Sequence, residues 1–195
     1  MKNKAWEYSS EIKNMPFLFL ETKKTAILLS AGKSKDEIIE LSKNENIYQL
    51  NKERRRTELP RTIVKRLKSV DDEGLEILAN GRDEDAKIIT LIAIMRTDKL
   101  FYEFMRDVYA ESFSSHRLEI TDSDFYVFFE DKASESERVA KWGKDNLERI
   151  RGAYRKMLCD AGLAVRDGGI LKLTISDERW AVIDKALTAD KECEQ

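Results

Sequence analysis

Several kinds of residue are scarce in this 195-residue chain. There is one histidine, His116, and there are two cysteines, Cys159 and Cys193, far apart and outside any CxxC pattern. A Ser-His-Asp triad or a zinc site with a histidine ligand would have to use His116. That residue follows Ser114 and Ser115 in an expected loop, where a solvent-exposed side chain is the simplest reading. No disulfide framework can be argued from the two cysteines. Long apolar runs are also missing. The longest, residues 88–95, is interrupted by Thr90 and would span about 12 Å as a helix, well short of a bilayer. No apolar stretch of signal-peptide type follows the N-terminus. The chain therefore reads as soluble and cytoplasmic, with no membrane partner. Only two prolines and eight glycines are present. Few breakers, with charges at helical spacing, give a mainly α protein.

Charge and apolar residues are abundant. Hydrophobic residues make up 42% of the chain, enough for a core, and charged residues make up 37%. The net charge is -2, but it is unevenly spread. Residues 52–68 carry Lys52, Arg54, Arg55, Arg56, Arg61, Lys65, Arg66 and Lys68 against Glu53 and Glu58, a net +6, which leaves -8 for the remainder. A one-signed stretch in an acidic background gives a polarised surface.

The order of elements gives this stretch a place. An apolar cluster at residues 15–20 is expected to anchor the N-terminus. A helix over 21–31 should bury Ala26, Ile27 and Leu28 and stop at Gly32. Ser34 and Glu37 have capping-box spacing and start a short helix through Ile38, Ile39 and Leu41 to about Asn44. A turn over 45–48 leads into the basic segment. Helix, turn, helix, turn and basic helix is the order of a helix-turn-helix with its third helix in the recognition position. Leu59, Ile63, Leu67 and Val70 share one helical face, and Arg54, Arg61, Lys65 and Lys68 point away from it. Pro60 either begins this helix or kinks a longer one. Phosphate contact is the functional reading of the outer face. An acidic protein partner is the other. A merely solvated face would interleave both signs.

Helices over 71–79, 83–96 and 99–112 are expected to pack. In the last third, short helices over 122–130 and 134–142 precede a longer one over 144–161, with Leu147, Ile150, Tyr154, Leu158 and Ala161 facing inward. Residues 163–166 and 170–174 read as a β-hairpin around an Asp-Gly turn at Asp167-Gly168. A closing helix over 177–187 follows, with a frayed tail from Thr188. Three helices and a hairpin make a winged-helix-like layout. Its basic residues are Lys141, Lys144, Arg149, Arg151, Arg155 and Lys156, with Arg166 and Lys172 on the wing. Such a fold serves DNA or protein partners equally well. The expected partition is 1–80, an N-terminal helix-turn-helix lobe; 81–118, connecting packing helices; and 119–195, a winged-helix-like lobe. The DNA-contacting residues expected are Lys52, Arg54, Arg55, Arg61, Lys65 and Lys68, and then Lys141, Arg149, Arg155, Lys156 and Arg166.

Two other patterns carry no chemistry. Ser30-Ala31-Gly32-Lys33-Ser34 resembles the end of a P-loop, but Ile27 stands where the first glycine is needed and no strand precedes it. Asp122/Asp124 and Glu135/Glu137 sit at expected helix starts, where the macrodipole favours negative charge. Trp142 and Trp180 read as core anchors. No catalytic, metal or cofactor residues are expected.

Several runs resemble the BrxA family of BREX (bacteriophage exclusion) systems. They are Pro16-Phe17-Leu18-Phe19-Leu20-Glu21, the Ala79-Asn80-Gly81 turn before residues 86–105, Asp124-Phe125 with Phe128-Phe129, and Val139-Ala140-Lys141-Trp142 before the helix at 147–163. Their order and spacing over nearly the whole chain carry the resemblance. It implies a role in phage defence, in systems that pair host-DNA methylation with a block on phage replication. It also implies a helical DNA-binding protein with N- and C-terminal helix-turn-helix modules. Other BREX components are further partners under this reading. The alternatives are an adaptor that holds a methyltransferase or ATPase without touching DNA, and an RNA binder. The lack of aromatics interleaved in the basic segment argues against the latter.

Overall fold

The computed structural model describes residues 7–191. It is mainly helical with one small antiparallel sheet, as the composition implied. Two compact units form. One is Phe17–Ala93; the other takes in the described residues of Met1–Pro16 and Ile94–Gln195. The partition at 80 and 118 divides the chain by motif, whereas these units follow contacts.

In the first unit, α1 (Phe19–Ser30) packs on α4 (Asp72–Asn80), and α2 (Lys35–Asn44) packs on α3 (Glu53–Leu67). Gly32, at φ +82°, lets the chain turn after α1. Ser34 Oγ accepts from the Glu37 amide, and the Glu37 carboxylate accepts from the Ser34 amide at 2.8 Å. α3 is continuous, and Pro60 lies inside it. A proline there removes one backbone hydrogen bond. Burial of Leu59, Ile63 and Leu67, all under 5% exposed, holds the helix together around it. α5 (Asp83–Met95) carries the apolar run through this unit's end. Ala26 is buried and Leu28 half-buried, but Ile27 is 47% exposed, contrary to expectation. Three consecutive residues of a helix span too wide an arc to share one buried face. Leu20, from the apolar anchor cluster, is also exposed, whereas Met15 and Phe17 are buried.

In the second unit, a single helical path contains α6 (Lys99–Phe104), a π-helical segment (Met105–Tyr109) and α7 (Ala110–Ser114). Then come β1 (Glu119–Ile120), α8 (Asp122–Glu135), α9 (Glu137–Ala140), α10 (Lys144–Asp160), β2 (Ala164–Asp167), β3 (Ile170–Leu173) and α11 (Asp177–Lys191). The expected hairpin forms, and Gly168 at φ +59° takes the first central position of its two-residue turn. The turn is Gly168-Gly169, because Asp167 pairs with Ile170. β1 adds a third strand, giving the order β1-β3-β2. The expected helix over 134–142 is mostly absent. α8 continues to Glu135, and only the four residues of α9 follow. α11 runs past Leu187 to Lys191 rather than fraying at Thr188. The core is aromatic: Phe104 stacks on Phe125 at 4.9 Å, and Phe101 meets Tyr154 edge-on at 4.9 Å. Trp180 is buried beside Tyr109, whereas Trp142 is only half-buried. Among the described residues, no helix is long and apolar enough to cross a membrane.

Candidate nucleic-acid interface

The connection between α2 and α3 is fixed by one side chain. Asn46 Oδ1 accepts from the Leu50 amide at 2.7 Å, and its Nδ2 donates to the Leu50 carbonyl at 3.2 Å. Tyr48 is buried and shares a hydrogen bond with Thr25 at 2.7 Å. Burial raises its hydroxyl pKa, so it stays protonated. These contacts seat α3 against α2 and α1 and decide which face looks outward.

That outer face is cationic. Lys52 is exposed beside the start of α3. Arg61, Lys65 and Lys68 follow one another at steps of four and three, over about 10 Å of helix. All four are exposed, and none has an acidic partner among the described residues. Arg54 is 87% exposed and donates to Glu58 at 2.5 Å. Arg55 and Arg56 are half-buried, and Arg56 donates to the Leu50 carbonyl. Arg66 is only 5% exposed, so it adds nothing to the outer charge. Free cations therefore lie mostly on the C-terminal half of α3.

The second basic group is more tightly committed. Lys144 and Arg166 are exposed without an acidic partner among the described residues. Lys141 lies 3.7 Å from Glu137, Lys156 pairs with Asp160 at 2.8 Å, and Arg149 donates to Asn14 at 3.1 Å. All three remain exposed. On the hairpin, Lys172 pairs with Asp167 at 2.5 Å. Arg155 departs from the expected open contact. Its side chain is 14% exposed and donates to Asp122 and to the Gly169 carbonyl, each at 2.6 Å. Its guanidinium also lies over Phe125. Arg155 is spent on tying α8, α10 and the hairpin turn together. Arg151 also donates to Asp122. The sequence could not show this, because Asp122 lies far from both arginines along the chain.

A groove of about 380 Å³ lies between the π-helical segment and α8, a feature the sequence did not disclose. Val108, Val127 and Phe128 line it with Asp107, Asp131 and Lys132. Lys132 lies within 3.3 Å of Glu103, Asp107 and Glu135. Burial alone would lower its pKa, but these carboxylates outweigh it and hold the ammonium above its usual value.

No group of His, Cys, Asp and Glu suited to a metal ion occurs among the described residues. His116 is exposed, with Nδ1 at 3.1 Å from the Ser114 carbonyl oxygen.

The chain matches the BrxA family model over residues 6–186. A "BREX protein BrxA" of Bacillus cereus (strain H3081.97) is 41% identical over 155 residues, which is 80% of this chain and 78% of that protein. The crystal structure of an uncharacterized protein from Magnetospirillum magneticum aligns with a TM-score of 0.75, covering 93% of this chain and 96% of that one. At 18% identity it shows a shared fold alone. The family match over most of the length, joined by that relative, shows that this chain belongs to the BrxA family.

Proposed function

We propose that this chain is a non-enzymatic, DNA-binding accessory protein of a BREX phage-resistance system that holds duplex DNA mainly through its phosphates. The carrying observation is the row of Arg61, Lys65 and Lys68 on the outer face of α3, exposed and without acidic partners among the described residues. Lysine and arginine ammonium and guanidinium groups in such a row neutralise phosphates and release counterions. α3 is the third helix of its unit, the recognition position of a helix-turn-helix. In the other unit, a helix followed by a hairpin, with sheet order β1-β3-β2, supports a winged-helix reading. Duplex is favoured over single strands because Tyr48, the aromatic nearest the basic stretch, is buried and cannot stack on bases. A cytoplasmic place follows from this role, since phage and host DNA meet there.

The test is a gel shift of the purified chain on a short duplex at low salt. Binding is expected, and R61A/K65A/K68A should weaken it while leaving the fold intact. Absence of binding by the wild-type chain would refute the reading. The second reading is an adaptor that holds other defence components. The groove between the π-helical segment and α8 favours it, because Val127, which lines it, is 53% exposed. Co-purification with partners after nuclease treatment, with no duplex binding by the isolated chain, would favour that reading.

A further inference from the structure

The groove between the π-helical segment and α8 has the opposite charge from the outer face of α3. Five carboxylates line it, those of Asp107, Glu111, Asp124, Asp131 and Glu135. Arg117 and Lys132 are the two cations of the lining, and both are committed. Arg117 pairs with Asp124 at 2.7 Å, and Lys132 lies within 3.3 Å of Glu103, Asp107 and Glu135. The residues behind the lining, Glu103, Arg106 and Lys99, leave it acidic, at six carboxylates against four cations.

Two of the carboxylates are left to an outside group. Asp131 is exposed and has no cationic partner among the described residues. Glu111 is exposed, and Arg117 lies 3.7 Å from it. The two walls run antiparallel: Lys132, late in α8, meets Glu103 and Asp107, whereas Arg117 joins Glu111 to Asp124, early in α8. Glu111 and Asp131 therefore stand toward opposite ends of the groove, with Val108, Val127 and Phe128 between them. Val127 is exposed there. A π-helical turn is rare and is frequent at functional sites. Here it supplies Asp107 and Val108 to one wall. A cleft of one sign over an apolar floor focuses its field on the opposite charge. It repels a polyanion, and at about 380 Å³ it has room for the side chains of a single segment.

We infer that this groove docks a basic segment of a partner protein, with one apolar side chain resting on Val108, Val127 and Phe128 and arginine or lysine heads on either side reaching Glu111 and Asp131. Long cationic side chains can lay their stems on such a floor and keep their heads at the rim. The assignment goes beyond the duplex reading and does not depend on it, since α3 and the groove would serve partners of opposite charge.

The probe is a labelled synthetic peptide with leucine between two pairs of arginines, titrated with the full chain at low salt and read by fluorescence anisotropy. Binding is expected, and E111K/D131K should weaken it at least tenfold. E73K/D184K changes the net charge equally at exposed sites outside the groove and should leave binding nearly unchanged. Glycine in place of the peptide's leucine should weaken binding about three- to tenfold, because the apolar floor is then left uncovered. No binding, equal losses in the two double variants, or equal affinity for the two peptides would overturn the proposal. Self-association of the free chain that E111K/D131K abolishes in sedimentation would also overturn it, by assigning the groove to a second copy.

Discussion

Arg155→Ala should loosen the hairpin and lower the stability of the C-terminal unit. Arg155 makes two hydrogen bonds at 2.6 Å, one to the Asp122 carboxylate and one to the Gly169 carbonyl. Its guanidinium carbon lies 5.3 Å from the centre of the Phe125 ring. A hydrogen bond to a charged group contributes about 1.5–3 kcal/mol. Asp122 is 55% exposed, so water screens that pair and the lower end applies. The ring contact adds about 0.5–1 kcal/mol. The sum is roughly 2–4 kcal/mol, or a Tm lower by roughly 4–16 °C in a chain of this size. Arg155→Lys should fall between, since an ammonium keeps the charge but not the fork that reaches two acceptors. Thermal denaturation gives the magnitude, and hydrogen exchange at Gly168 and Gly169 gives the location. A Tm change under about 1 °C, with unaltered exchange in the turn, would refute the role assigned to this side chain.

Three further outcomes follow from the packing and charges. Ile63→Ala removes a fully buried side chain on the inner face of α3 and should cost about 2–5 kcal/mol in urea unfolding. Lys132→Ala should cost about 1–3 kcal/mol by the same assay, because Glu103, only 7% exposed, would lose its closest cation while keeping Lys99 at 3.7 Å and the Tyr8 hydroxyl at 2.9 Å. Asp124 sets an acid limb. Burial alone would raise its pKa, but hydrogen bonds from Thr121 and Arg117 outweigh it and hold the carboxylate below its usual value. A carboxylate with a lowered folded pKa stabilises the protein above its unfolded value of about 3.9, and the effect is lost as pH falls through the folded value. Asp124→Asn should therefore flatten the loss of stability below about pH 4 relative to wild type, and equal acid limbs would contradict this.

Local chemistry was legible in the sequence. Ser34 with Glu37, Gly32 after α1, and the apolar steps at Leu59, Ile63 and Leu67 all act within a few residues, so spacing alone reveals them. β1 was not legible. It has only two residues, and it pairs with Lys172 and Leu171 some fifty positions later. The fate of individual cations was half legible. Helical phase put Arg54, Arg61, Lys65 and Lys68 outside, and they are exposed. Arg66 was counted with the basic stretch by charge alone, and it is buried. Arg155 was counted as an open contact because Asp122 and Gly169 are remote in sequence. The groove beside Lys132 draws on residues from 107 to 135, with no local signature at all.

Salt dependence tests the central claim most directly. Each neutralised phosphate lowers the slope of log K against log salt by about 0.9. Arg61, Lys65 and Lys68 together should account for about 2.7 of the wild-type slope. Between about 50 and about 200 mM salt, the wild-type chain should lose about 40-fold more affinity than R61A/K65A/K68A. The three side chains are exposed, so both proteins should unfold at nearly the same temperature. Two parallel lines of equal slope would contradict the account, because they would mean that the outer face of α3 touches no phosphate.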